Sequence, residues 1–191
     1  MQAKTWILLT GLLALSVSSL VATAPVPRKS PELVISEPSG KQTSLSNFKG
    51  SVVVVEFLLT NCPHCMRVAK MISKLHEGMS QRGLQTIGVA FDNGLNEKMV
   101  AQFSQQLGVT YPIAYTSSAQ VDSYLGRAQT ERLMVPQIVV IDRAGVIRAQ
   151  SQPIREMNLE DDSYLRNLID GLLNENSPPA VKNSAAPRSK R

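Results

Sequence analysis

The sequence predicts an α/β sandwich in which parallel strands come first and a hairpin comes last. Three observations carry this expectation. The run 51–59 is apolar apart from Ser51 and one Glu, and an amphipathic helical stripe follows soon after it. A second apolar run, 84–91, precedes another helix, and a late pair of runs, 137–142 and 146–150, is joined by Arg143-Ala144-Gly145. Apolar runs of this length are expected of strands buried on both faces of a partly parallel sheet. Their alternation with helices defines the α/β class.

The elements follow in order. After Glu32 come Leu33, Val34 and Ile35, the turn Pro38-Ser39-Gly40-Lys41, and then Leu45 and Phe48, a small hairpin feeding a loop that Gly50 ends. In the first helix Val68, Met71, Ile72, Leu75 and Met79 fall at i, i+3, i+4, i+7 and i+11, one stripe, with Gly83 just past its end. The second helix runs from about Glu97 to Leu107, with Val100, Phe103 and Leu107 inward and Gly108 as its stop. Residues 111–115 form a short strand and 120–125 a short helix. The hairpin follows. Leu165, Leu168, Ile169, Leu172 and Leu173 mark the last helix, where Asn158 followed by the acidic Glu160, Asp161 and Asp162 suits the helix dipole.

The 191 residues carry a formal charge of +5 and a pI near 9.4, which would suit a nucleic-acid binder if the charge lay on the folded part. It does not. Residues 31–175 hold 13 Lys or Arg against 15 Asp or Glu, a balance of −2, and the excess sits at Lys4, Arg28, Lys29, Lys182, Arg188, Lys190 and Arg191. No nucleic-acid partner is expected. Lys4 followed by the apolar run 6–22 reads as an export segment. Ala22-Thr23-Ala24 has the spacing of a cleavage site but precedes Pro25, so the segment is either removed or kept as a membrane anchor. The division expected is therefore 1–24 signal or anchor, 25–30 linker, 31–175 folded domain and 176–191 disordered basic tail.

Cys62 and Cys65 are the only cysteines, three apart where the buried strand hands over to the helix. Pro63 suits the first helical position and places Cys62 at the cap, where unpaired N–H groups and the helix dipole favour thiolate over thiol. Cys62 is then the attacking nucleophile. Cys65, one turn in, resolves the mixed disulfide. His64, when protonated, adds to the same effect. A purely structural bridge over so short a loop stabilises by only about 2 kcal/mol. A zinc site needs four ligands, and His64 and His76 are the only histidines available. Met66 stands where a covalent haem site needs His. His76, far along the helix, reads as a surface residue. No metal or cofactor is expected beyond the Cys62–Cys65 pair itself.

Residues 31–175 resemble the TlpA and ResA branch of the thioredoxin superfamily, exported or membrane-tethered thiol-disulfide oxidoreductases. The resemblance is carried by the prelude 40–50 (Gly-Lys-Gln-Thr-Ser-Leu-Ser-Asn-Phe-Lys-Gly), the strand and Cys pair 52–65, and the segment 135–145 beginning Val-Pro-Gln-Ile-Val. It implies a thioredoxin-like fold, a central mixed β-sheet flanked by helices, with an N-terminal β-hairpin extension. It also implies that Pro136 is the cis-proline of a loop beside the two sulfurs, with Val135 offering its backbone to an extended substrate. Glu56 stands six residues before Cys62, where thioredoxins carry a buried acid, and the hypothesis is that it exchanges a proton with Cys65. A carboxylate at a strand end facing water is the alternative. The partners implied are protein thiols and disulfides, and a membrane or periplasmic redox partner that recharges the pair.

Two departures bear on specificity. Asn61 precedes the first Cys where the family usually has an aromatic, and Leu58-Leu59-Thr60 replaces a Trp-Ala-Thr type of segment. The inner dipeptide Pro63-His64 resembles that of oxidising periplasmic enzymes of the DsbA type, whereas the branch mostly contains reductants, so the direction of electron flow stays open. Two other functions compete. A peroxiredoxin-like peroxidase shares the fold, but its Pro-x-x-x-Thr-x-x-Cys motif would need Pro at Phe57, although Thr60 fits. A copper-handling dithiol chaperone finds no further Cys or His downstream.

Overall fold

The computed structural model describes residues 24–127, 132–151 and 157–175. The expected export segment, apart from Ala24, and the basic tail lie outside the described residues. Among those described, no helix is long and apolar enough to cross a membrane.

Eight strands form one mixed sheet: β1 (Arg28–Lys29), β2 (Val34–Ser36), β3 (Gln42–Ser44), β4 (Val52–Leu58), β5 (Leu84–Ala90), β6 (Ile113–Tyr115), β7 (Gln137–Ile141) and β8 (Val146–Gln150), in the order β1-β8-β7-β4-β5-β6-β2-β3. β4, β5 and β6 run parallel, and β7 lies antiparallel on the other side of β4. This makes β4 the centre of the sheet, and all seven of its residues are buried. Four helices flank it: α1 (Pro63–Met79), α2 (Glu97–Leu107), α3 (Ser118–Leu125) and α4 (Asp162–Asn174).

Alternation along β4 divides the core in two. Val52, Val54 and Leu58 pack with Val68, Ile72 and Leu75 of α1, Val100 and Phe103 of α2, and Leu165 and Ile169 of α4. Val53, Val55 and Phe57 face the other way, against Val121, Tyr124 and Leu125 of α3 and Leu33 and Ile35 of the hairpin region. Each fully buried Val, Leu, Ile or Phe among these stabilises by roughly 1.5–3 kcal/mol. Glu56 shares its side of the strand with Val54 and Leu58, so its carboxylate is directed into the α1 half of the core. After α1, a short 3-10 turn (Ser80–Arg82) ends on Gly83 at φ +103°, a left-handed conformation that glycine adopts without steric cost and that turns the chain into β5.

Several expectations need adjusting. The N-terminal hairpin is present as β2–β3, and it joins the sheet through a pairing of Ser36 with Tyr115. Residues 25–30, expected as a linker, contribute β1: Arg28 and Lys29 pair with Ile147 and Val146. A sheet edge accepts any extended backbone, and the Arg28 guanidinium adds a 2.7 Å hydrogen bond to Gln150 Oε1. The short strand begins at Ile113, not Tyr111: its register with β5 starts at the pair of Ile113 with Gly88, after Pro112, which has no N–H for a ladder. The helix expected at 120–125 starts at Ser118, since Ser117 and Gln120 form a capping box.

Candidate active site

The turn after β4 delivers Cys62 to the N-cap of α1, with Pro63 as the first helical residue. The Cys62 backbone is extended (φ −97°, ψ 107°), so its side chain folds back over the helix start and Sγ accepts the Cys65 N–H at 3.2 Å. Cys62 is half-buried, and Cys65 has no exposed surface. Both are free thiols. Burial pushes the Cys65 thiol well above the ordinary thiol range; a hydrogen bond with Cys62 adds to this, while the Leu59 backbone opposes it.

The turn is braced from β5. Thr60 donates its N–H to both carboxylate oxygens of Asp92 (3.1 and 3.0 Å) and its hydroxyl to Oδ1 at 3.1 Å. Sequence reasoning passed over this contact, although Asp92 stands just after the end of β5, the expected place for a residue that reaches across to the neighbouring strand's turn. Asn61 and Pro63 are exposed. His64 Nε2 lies 2.9 Å from Glu160 Oε2, which ties the inner dipeptide to the turn before α4.

Glu56 is entirely buried, which excludes the water-facing alternative. It sits between Gly88 of β5 and Ile138 of β7. Burial raises its pKa from 4.5 to about 8, against a lowering contribution from the Tyr111 hydroxyl, which donates to Oε2 at 2.8 Å. The other oxygen, Oε1, has no protein hydrogen-bond partner. Its charge in turn opposes ionisation of Cys65. Tyr111 is the neighbour of Glu56 that sequence reasoning missed. Gly88 leaves room beside this contact: a Cβ there would press on Ile113 Cδ1 and come within 3.3 Å of Tyr111 Cε2. His76, expected at the surface, is half-buried instead, with its ring edge-on to Tyr111 at 6.2 Å and its pKa pushed down by burial. The helical stripe hides this, since position 76 lies beside the apolar face rather than on it.

The Val135–Pro136 peptide bond is cis. Pro136 is buried and Val135 half-buried. The last registered pair between β4 and β7 is Phe57 with Gln137, so the Val135–Pro136 step lies beside the end of β4 that leads to Cys62. Gln137 Nε2 donates to the Met134 carbonyl at 2.6 Å and ties that loop to the strand. The structure thus brings Cys62, Cys65, Glu56, Val135 and Pro136 to one end of the sheet, with Asn61, Pro63 and His64 on the rim. Among the described residues, no group of three or more His, Cys, Asp or Glu side chains is placed to hold a metal ion.

Known proteins resemble this arrangement. Over 118 residues the chain is 28% identical to Protein DipZ of Mycobacterium tuberculosis, covering 60% of this chain and only 16% of DipZ. It is 25% identical over 118 residues to the thiol-disulfide oxidoreductase ResA of Geobacillus thermodenitrificans, covering 62% of this chain and 64% of ResA. It is also 28% identical over 158 residues to the chloroplastic peroxiredoxin Q of Suaeda salsa, covering 79% and 72%. Among solved structures, a putative thiol:disulfide interchange protein DsbE from Chlorobium tepidum superposes with a TM-score of 0.64 at 22% identity, over 77% of this chain and 96% of the other. That likeness establishes the thioredoxin-like fold. The Redoxin family profile matches residues 24–169, from the start of the described chain into α4, and the protein therefore belongs to the redoxin family.

Proposed function

We propose that this chain is an exported thiol-disulfide oxidoreductase that exchanges disulfides with protein substrates through Cys62 and Cys65. The observation that carries the reading is the asymmetry of the pair. Cys62 is partly exposed at a helix N-cap with the Cys65 N–H on its sulfur, and Cys65 is buried one turn in. A half-buried sulfur at a helix start can meet a substrate disulfide, while one buried a turn further in can reach only its partner. In the reducing direction, Cys62 Sγ attacks one sulfur of a substrate disulfide and releases the other as a thiol. Cys65 then gives its proton to Glu56 and attacks Cys62 Sγ, forming the Cys62–Cys65 disulfide and freeing the second substrate thiol. Two electrons pass to the substrate. In the oxidising direction each step reverses. Val135, next to the end of β4 that leads to Cys62, offers its backbone to the substrate segment.

The family relationship and the relatives named above support the chemistry. The export reading rests on Lys4 and the apolar run 6–22, with the periplasm or another extracytoplasmic space as the site of action and the same run as the tether if it is retained. A separate redox protein at the membrane or in that space recharges the pair. The test is direct. Purified protein should reduce insulin disulfides in the presence of a thiol reductant, Cys62→Ser should abolish this, and Cys65→Ser should accumulate a mixed disulfide. Loss of none of these activities on removing Cys62 would end the reading. A measured reduction potential near about −270 mV assigns a reductant and one near about −120 mV an oxidant.

The similarity to peroxiredoxin Q supports a second reading, a thiol peroxidase. Phe57 in place of the motif proline opposes it. Rapid peroxide turnover that survives Cys65→Ser would establish it in place of the first.

A further inference from the structure

Glu56 has one oxygen held and one oxygen free, and the group that holds it has two acceptors. Tyr111 Oη lies 2.8 Å from Glu56 Oε2 and 3.3 Å from the Ala69 carbonyl of α1, both contacts buried. A phenol has a single proton to donate, so it can satisfy only one of these fully at a time. We propose that Tyr111 is the positioning residue for proton transfer at Glu56: its hydroxyl holds Oε2, leaves Oε1 to exchange the proton with Cys65, and turns to the Ala69 carbonyl when the carboxyl is neutral. This rests on the relay role given to Glu56 above and extends it.

The chemistry follows from the two distances. A hydrogen bond to a charged acceptor is roughly twice as strong as one to a neutral acceptor. While Glu56 is ionised, the shorter contact to Oε2 wins and offsets part of the cost of burying the charge. When Oε1 takes the proton from Cys65, Oε2 becomes a weaker acceptor and the Ala69 carbonyl competes. The Tyr111 O–H therefore keeps a partner in both states. The proton that Glu56 accepts as the disulfide forms returns to Cys65 when the pair is reduced, so the cycle balances.

The surroundings leave Tyr111 as the only described hydrogen-bond donor to the carboxylate. From α1, the ionisable groups that face this cluster are Cys65, with Cys62 beyond it, and His76 against the Tyr111 ring, with Glu77 acting on His76. β5 contributes Gly88, with Thr86 on the same side of that strand, and β7 contributes Ile138. The site's titration should thus depend on Tyr111 more than on any charged neighbour.

The test uses the reduced full-length protein with 13C-labelled Glu and Tyr. In the parent, the Glu56 carboxyl should titrate near pH 8, and the Tyr111 Cζ signal should follow the same midpoint as the hydroxyl changes acceptor. In Tyr111→Phe, the Glu56 midpoint should move up by about one unit, since the ionised form loses its donor. An unmoved midpoint, or a Tyr111 signal indifferent to Glu56, overturns the proposal. The parent's Tyr111 signal decides the matter even if the Phe variant does not fold. These titrations do not depend on catalysis. Failure of the relay itself is read separately, as a pH profile of disulfide exchange that Glu56→Gln leaves unchanged.

Discussion

Replacing Glu56 by Gln should make the protein more stable at alkaline pH, and the size of the effect follows from the burial. The folded carboxyl has a pKa of about 8 against an ordinary 4.5. Below the lower value the group is neutral in both folded and unfolded chains and contributes nothing. Between the two values the unfolded chain releases a proton that the folded chain retains, so stability falls by about 1.4 kcal/mol per pH unit. Above about pH 8 the loss levels off at an upper bound of about 5 kcal/mol. Gln is never charged and escapes this loss. Its amide N–H2 would fill the position of Oε1, which has no partner, at a cost of about 1–3 kcal/mol that does not vary with pH. The readable quantity is therefore the change with pH of the stability difference between variant and parent. His76 and Cys65 titrate in both proteins and largely cancel in that difference. Urea unfolding of the reduced proteins from about pH 5 to about pH 9 measures it. The difference should grow by several kcal/mol in favour of Gln, and a flat difference, within about 1 kcal/mol, would refute the assignment of Glu56 as a buried, displaced acid.

Three further outcomes are expected. Alkylation of the reduced protein at mildly acidic pH should modify Cys62 before Cys65, because Cys65 has no exposed surface and burial holds it as the thiol; mass spectrometry of the two peptides reads the order, and equal labelling counts against the assigned roles. Gly88→Ala should destabilise by about 1–3 kcal/mol through overpacking against Ile113 and Tyr111, seen as a lower urea midpoint. Asp92→Ala removes the acceptor of three Thr60 hydrogen bonds, so it should cost about 1–3 kcal/mol and slow disulfide exchange by loosening the turn that presents Cys62.

How much of this was legible in the sequence depends on how local each signal is. The centre of the sheet was readable because 52–58 is apolar enough to be buried on both faces, and the Cys62 cap was readable because Pro63 can occupy only a few helical positions. The resemblance, not the pattern, singled out Pro136. Tyr111 and Asp92 were not readable as site residues. Their partners, Glu56 and Thr60, are 55 and 32 residues away, and only the parallel pairing of β4 with β5 and the loop after α2 brings them together. The strand at Arg28–Lys29 was hidden for a different reason: Pro and basic residues signal a linker, while an edge pairing uses only backbone. Local periodicity reports which face of an element is buried, and it is silent on which distant element covers that face.

This difference bears on what the pair of cysteines is for. A structural Cys62–Cys65 bridge would add only about 2 kcal/mol. The buried acid Glu56 can cost more than that at neutral and alkaline pH, on a total stability of about 5–15 kcal/mol for a typical domain. A chain that needed the bridge for stability alone would gain more from a neutral residue at position 56. The proposed relay accounts for Glu56 and Tyr111 together: a proton on Cys65 that leaves and returns calls for a buried acid held in place, and a disulfide that is repeatedly made and broken has that requirement.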